Sequence, residues 1–301
     1  MMKNKILAPI ILMIAILFLA GCSSGTTNGT TSNSAFLGGT QGIAANFEAF
    51  GVQEDSIYTI FDTESFPLEV TLVNKGEYAL QPGDVTVKLL GPSQQELEGI
   101  SSWELKNQDA IEPISDLVPN GGQETINFAA DAKFKSPVTG FLDREWFANL
   151  DYKYQTQLII PEVCLKEDPT DDRVCTVDES KTYFVSGAPV TVTAVVESTA
   201  GRGIMALTIS LSNVAGGKVA KIGEDFGVVE KLGYTIDDPA WECKSGGRVD
   251  EARLTSGAAD IICKLKEPLE DGALSTKQVK LTLEYTYRDL IQETLRIKSG
   301  E

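Results

Sequence analysis

Apolar and polar residues alternate through much of this chain. Leu68, Val70 and Leu72 stand on one side of a period-two pattern, with Glu69 and Thr71 on the other. Met205, Leu207, Ile209 and Leu211 repeat it, and Leu281, Leu283, Tyr285 and Tyr287 alternate with Lys280, Thr282, Glu284 and Thr286. A period of two sends successive side chains to opposite faces of a strand, and an apolar face backed by a polar one marks an antiparallel sheet with one wet side. Further strands are predicted at 85–89, 123–128, 190–196 and 295–297. Turns fall between them at Gln81-Pro82-Gly83-Asp84, Pro119-Asn120-Gly121-Gly122 and Gly187-Ala188-Pro189. No amphipathic helix stands out beyond Cys22. Short strands parted by Gly and Pro turns predict an all-β protein made of sandwiches.

The strand motifs recur. Leu68-Glu-Val-Thr-Leu-Val-Asn74 matches Leu207-Thr-Ile-Ser-Leu-Ser-Asn213, and Leu150-Asp-Tyr-Lys-Tyr154 matches Leu283-Glu-Tyr-Thr-Tyr287. The two motifs lie at similar separations in both places. This predicts two copies of one domain, at 42–160 and 187–301, with equivalent core places for Leu72 and Leu211 and for Tyr152 and Tyr285. On that reading, loss of Leu72 weakens the first domain and spares much of the second.

The N-terminus breaks the pattern. Lys3 and Lys5 precede an uncharged apolar run, Ile6 to Ala20, that ends in Leu19-Ala20-Gly21-Cys22. A cationic start, a short apolar run and small residues before a cleavage point read as an export signal. The run is short for a membrane-spanning helix. Leu-Ala-Gly-Cys resembles the lipobox of prokaryotic lipoproteins. The resemblance implies that residues 1–21 are a lipoprotein signal peptide, that Cys22 carries the lipid, and that the chain is anchored to a membrane facing outside the cytoplasm. Ser23 would fit outer-membrane sorting in a two-membrane bacterium. Residues 22–41 are mostly Ser, Thr, Gly and Asn, a composition that cannot bury enough apolar surface to order itself, and so predict a flexible tether. Asn28-Gly29-Thr30 within it fits the glycosylation pattern.

From residue 42 on, the chain resembles immunoglobulin-like modules found in tandem on prokaryotic, especially archaeal, surface proteins. Leu150-Asp-Tyr152 and Leu283-Glu-Tyr285 look like the approach to a tyrosine corner, where a Tyr hydroxyl returns to the backbone. Tyr154 and Tyr287 stand where antibody-type domains carry a Cys, which argues against that branch. The resemblance implies two tandem immunoglobulin-like antiparallel β-sandwiches serving as spacers or protein-interaction modules.

Composition narrows the chemistry. The chain has 26 basic and 43 acidic residues, a net charge of -17, which repels nucleic acid. It has no histidine, which excludes Ser-His-Asp and Cys-His catalysis and His-ligated zinc. With Cys22 assigned to lipid, Cys164, Cys175, Cys243 and Cys263 are an even set in an exported chain, where disulfides persist. Three pairings are open, and proximity favours Cys164 with Cys175 and Cys243 with Cys263. A four-cysteine zinc site would want Cys-x-x-Cys pairs, which are lacking. The acidic segment at 161–186 would then be a stapled hairpin between the domains. Asp168, Asp171 and Asp172 within it are candidate calcium ligands, because calcium takes several carboxylate oxygens. Trp103, Trp146 and Phe147 read as core. A carbohydrate or partner platform is the alternative.

These features predict a lipid-anchored surface protein that binds or scaffolds, not an enzyme, with a surface or envelope protein as its partner and membership of an envelope assembly as one setting. A solute-binding lipoprotein of a transporter would want helices, and a surface hydrolase would want an identifiable carboxylate pair.

Overall fold

A computed structural model describes residues 35–177 and 180–300. In chain order the strands are β1 (Ile43–Phe47), β2 (Val52–Glu54), β3 (Ile57–Phe61), β4 (Ser65–Asn74), β5 (Val85–Leu90), β6 (Leu97–Glu98), β7 (Glu104–Lys106), β8 (Gln123–Phe134) and β9 (Phe141–Lys166). They continue as β10 (Phe184–Val185), β11 (Val190–Gly201), β12 (Ile204–Asn213), β13 (Lys218–Ala220), β14 (Glu230–Ile236), β15 (Trp241–Lys244), β16 (Glu251–Leu254), β17 (Ala258–Leu265) and β18 (Leu274–Lys298). The predicted all-β class is what the chain adopts. Each strand proposed from the sequence falls within one of these.

The described residues form three sheets. Two have four strands each, in the orders β1-β4-β8-β6 and β11-β12-β17-β15, and the third has ten. The large sheet is organised by β9 and β18, which run antiparallel from Phe141 paired with Lys298 to Lys166 paired with Leu274. On β9 the buried positions are Trp146, Ala148, Leu150, Tyr152, Tyr154, Thr156, Leu158 and Ile160, and on β18 they include Val279, Leu281, Leu283, Tyr285, Tyr287, Leu295 and Ile297. The alternation keeps one parity along both strands. Both four-stranded sheets therefore cover the same face of the large sheet, and its other, wet face is open except at Thr59 and Ala220, which are buried.

The repeat is real in three dimensions. Ile43 pairs with Asn74 and Ala45 with Leu72, while Val190 pairs with Asn213 and Val192 with Leu211. The side-chain chemistry repeats too. Asn74 Nδ2 donates to the Tyr78 carbonyl at 2.7 Å and its Oδ1 accepts from the Tyr154 hydroxyl at 3.1 Å. Asn213 Nδ2 donates to the Gly217 carbonyl at 2.7 Å and its Oδ1 accepts from the Tyr287 hydroxyl at 3.0 Å. Tyr152 takes a hydrogen bond from the Ile43 amide, as Tyr285 does from that of Val190. In the β9–β18 ladder Tyr152 faces Tyr287 and Tyr154 faces Tyr285, so an approximate dyad passes between the four tyrosines. Their rings form a closed cycle with centroids 5.5 to 6.4 Å apart.

The expected division into two sandwiches at 42–160 and 187–301 is not how the chain is built. Ala35–Glu301 is one compact unit. Residue 160 lies inside β9, and residues 161–166 extend that strand instead of opening a hairpin. The reason is strand length. The second half of β9 pairs with the first half of β18 beside β14 and β10. The second half of β18 pairs with the first half of β9 beside β3. Each copy thus completes its large sheet with a strand from the other.

The start of the described chain is fixed at this centre. The Glu77 carboxylate accepts from the amides of Leu37 and Gly38, both at 2.8 Å, and from that of Gly187 at 2.7 Å. Gly76 must be glycine here, because a Cβ would collide with the Tyr154 hydroxyl and the Gly187 carbonyl. The tyrosine hydroxyls mark the covered side of the large sheet, so the arm docks on the side opposite the wet face. The part of the predicted tether from 35 to 41 falls in this docked arm.

Candidate functional site

Cys22 and Asn28 lie outside the described residues. The four remaining cysteines pair as Cys164–Cys175 and Cys243–Cys263, the pairing that proximity favours. Cys243 and Cys263 face each other directly across β15 and β17. Two disulfides fit a protein that works outside the cytoplasm.

The calcium reading fails on geometry. Lys166 is buried to 1% exposure and its ammonium occupies the middle of the acidic loop. It donates to Asp172 Oδ1 at 2.8 Å, to the Asp171 carbonyl at 3.3 Å and to the Cys175 carbonyl at 3.4 Å. Asp171 binds Arg173, whose guanidinium holds its carboxyl down to about 2. Asp168 Oδ1 accepts from the Thr170 amide at 2.9 Å and hydroxyl at 2.7 Å. Both carboxylate oxygens of Asp171 serve an arginine, and one each of Asp172 and Asp168 serves a lysine and a turn. Among the described residues no group of three or more His, Cys, Asp or Glu could hold a metal ion.

The aromatic trio divides. Trp146 is fully buried, stacks on Trp103 at 5.9 Å and touches Phe50 and Phe66, as the core reading holds. Phe147, its neighbour on one strand, must point the other way and sits half-buried on the wet face. There Leu90 lies directly across from it on β5, and Leu290 sits on the diagonal on β18, 38% and 53% exposed. Period-two counting extended past Leu150 toward the N-terminus could have found this.

That apolar centre is flanked by two similar clusters. On one side the Arg288 guanidinium grips Asp151 through both carboxylate oxygens and lies 4.1 Å over the Phe226 ring. On the other side Arg296 bonds Asp143 at 2.7 and 2.8 Å and lies 4.6 Å over Phe141. Arg296 holds the Asp143 carboxyl below the usual carboxylate range. Beyond it Phe61 and Phe141 flank Lys298, which pairs with Glu54. From Arg288 to Arg296 the array runs eight residues of extended chain, roughly 27 Å.

Charge is unevenly distributed. Outward positions of the large sheet are those of β2, β3, β5, β7, β13, β14 and β16, with β9 from Phe141 to Ile159 and β18 from Lys280 to Lys298. They carry ten basic and seven acidic side chains, although the whole chain has 26 basic and 43 acidic. The acid excess therefore sits elsewhere. Five of these acids are spent in pairs on the face itself, with Lys88, Arg253, Arg288, Arg296 and Lys298.

Arginine, aromatic and aliphatic side chains set among paired charges have the make-up of a protein-contact surface, in which arginine and aromatic anchors dominate the energy. No protein-family model matches this chain, and no curated protein matches its sequence. Function has to be read from this geometry.

Proposed function

We propose that the chain is a lipid-anchored, extracytoplasmic binding or scaffold module, held to the membrane through Cys22, and that the wet face of its large sheet meets a surface or envelope protein. The observation that carries this is the uncovered face with its arginine–aromatic clusters around Leu90, Phe147 and Leu290. The immunoglobulin-like relationship belongs to the same reading, supported by tyrosine hydroxyls that return to the backbone at Ile43, Val190 and Gly217.

Binding is favoured over catalysis because the polar groups of the face are matched to one another instead of converging on a cleft. Contact through the face is favoured over strand addition because the edge strands of the large sheet are short: β2 and β7 have three residues each and β16 has four. Short edges discourage edge-to-edge pairing.

Hydroxyl-radical footprinting in intact cells tests the face. Phe141, Phe147 and Leu290 should be protected relative to purified protein, whereas Leu117, 93% exposed in a loop, should not. Equal labelling of all four in cells and in solution would refute the face. Intact mass tests the anchor: a chain retaining residues 1–21, with no mass added at Cys22, would refute it.

A further inference from the structure

We infer that the wet face joins two copies of this chain in an isologous dimer, Leu290 and Phe147 lying at its centre. This rests on the reading of that face as a contact surface and names its occupant. Three observations point to a second copy.

The first is charge. Two bodies of net charge -17 repel at most approaches. The wet face is where the acid excess vanishes, and five of its seven carboxylates are paired within the same copy, so bringing two such faces together sets only Glu145 and Glu284 against each other outside ion pairs.

The second is the order of groups along β18. Arg288 with Asp151 and Phe226 comes first, then Leu290 and Gln292 beside Phe147, then Arg296 with Asp143 and Phe141. The sequence reads nearly the same from either end. A surface of that kind meets itself about a dyad, each arginine cluster of one copy lying over the opposite cluster of its partner. In an isologous contact the Arg288 cluster of one copy then meets the Arg296 cluster of the other, and the reverse.

The third is area. The sheet is five strands wide at Arg288, from β7 to β13, and four at Arg296, from β9 to β2, so it is about 19–24 Å across at its two ends, and the array is roughly 27 Å long. Two such faces would bury about 1,000–1,300 Å² in total, at the lower edge of stable specific interfaces. Val52, Phe61, Leu90, Phe141 and Leu290 are five of the exposed large apolar residues, and all lie on this face.

Sedimentation of the full chain in density-matched detergent tests the inference. The wild type should run as a dimer at micromolar concentration. Added salt should tighten it, because screening relieves the repulsion between the acidic remainders. Leu290→Glu should weaken association at least tenfold. Phe147→Ser should do the same without placing a new acid on the face, and Leu117→Glu should leave the dimer intact. The β-sheet circular dichroism of each variant should match the wild type, since the substituted side chains lie outside the core. A wild-type monomer at every salt concentration would overturn the dimer, as would a dimer indifferent to both face substitutions. Cellular protection of the face together with a monomer in solution would assign the face to a different protein, overturning the second copy while leaving the contact surface standing.

Discussion

Leu72→Ala separates a shared sheet from two independent domains. Leu72 is fully buried on β4, with Ala45 of β1 on one side and Glu124 of β8 on the other. Truncation removes three carbons, about 2.4 kcal/mol at roughly 0.8 each. A paired strand on each side keeps the site from collapsing, so a cavity term raises the cost to about 3–4 kcal/mol, inside the 2–5 range typical of buried leucines. In a unit of this size each kcal/mol shifts the melting temperature by about 2–4 °C, which gives a fall of about 10 °C. The sequence alone led us to expect the loss to stay in the first copy. With β9 and β18 each completing both copies, the whole unit should melt in one transition that moves as a body. Leu211→Ala should displace the same transition by a similar amount. Differential scanning calorimetry measures this directly. Two resolved endotherms, only one of them displaced by Leu72→Ala, would refute the reasoning.

Glu77→Gln should speed amide exchange at Leu37, Gly38 and Gly187 and cost about 1–3 kcal/mol, since three hydrogen bonds to a charged acceptor weaken together. Unchanged exchange at all three would mean the arm is held by something else. Lys166→Met keeps the packing but removes the ammonium from the acidic loop, so trypsin should cut faster after Arg173; calorimetric titration of the wild type with calcium should show no heat of binding at that loop. Alkali should unfold the protein. Burial holds Tyr234 and Tyr287 up to about 12 and pushes Tyr152, Tyr154 and Tyr285 up as well, against an ordinary value of 10.0. Above pH 10 the unfolded chain then binds fewer protons than the folded one, so stability is full below that value and falls as the pH rises toward 12. Tyrosinate absorbance should appear together with loss of the β-sheet circular dichroism; tyrosinate formed well before unfolding would contradict the burial.

The elements were legible because their faces differ. Leu68 to Leu72 and Leu207 to Leu211 show their period plainly, and the Asn–Tyr match between copies marks a hydrogen bond that the structure makes twice. Strand length was not legible in the same way. The alternation from Trp146 through Ile160 is unbroken, but most strands have five or six residues, and such a run reads more readily as two strands than one of 26. The division into domains failed for that reason, since nothing local says that Leu281 pairs with Leu158 of the other copy. The calcium loop misled because composition counts carboxylates but not their partners. A lysine at the end of an amphipathic strand gives no sign that it will fold inward.

The pairing of β9 with β18 has a consequence for the order in which this protein is made. Synthesis delivers β9 more than a hundred residues before β18, its ladder partner. Until then one edge of a 26-residue strand has no ladder to join, and the covers over both halves rest on an incomplete floor. Long-range pairing of this kind is slow, and an open edge of that length invites association with other chains. Folding of this unit therefore waits for β18. A ribosome stalled before residue 274, or an export machine that releases the chain early, would leave both halves unfinished. A chaperone acting on this protein would have to shelter β9 until its partner arrives.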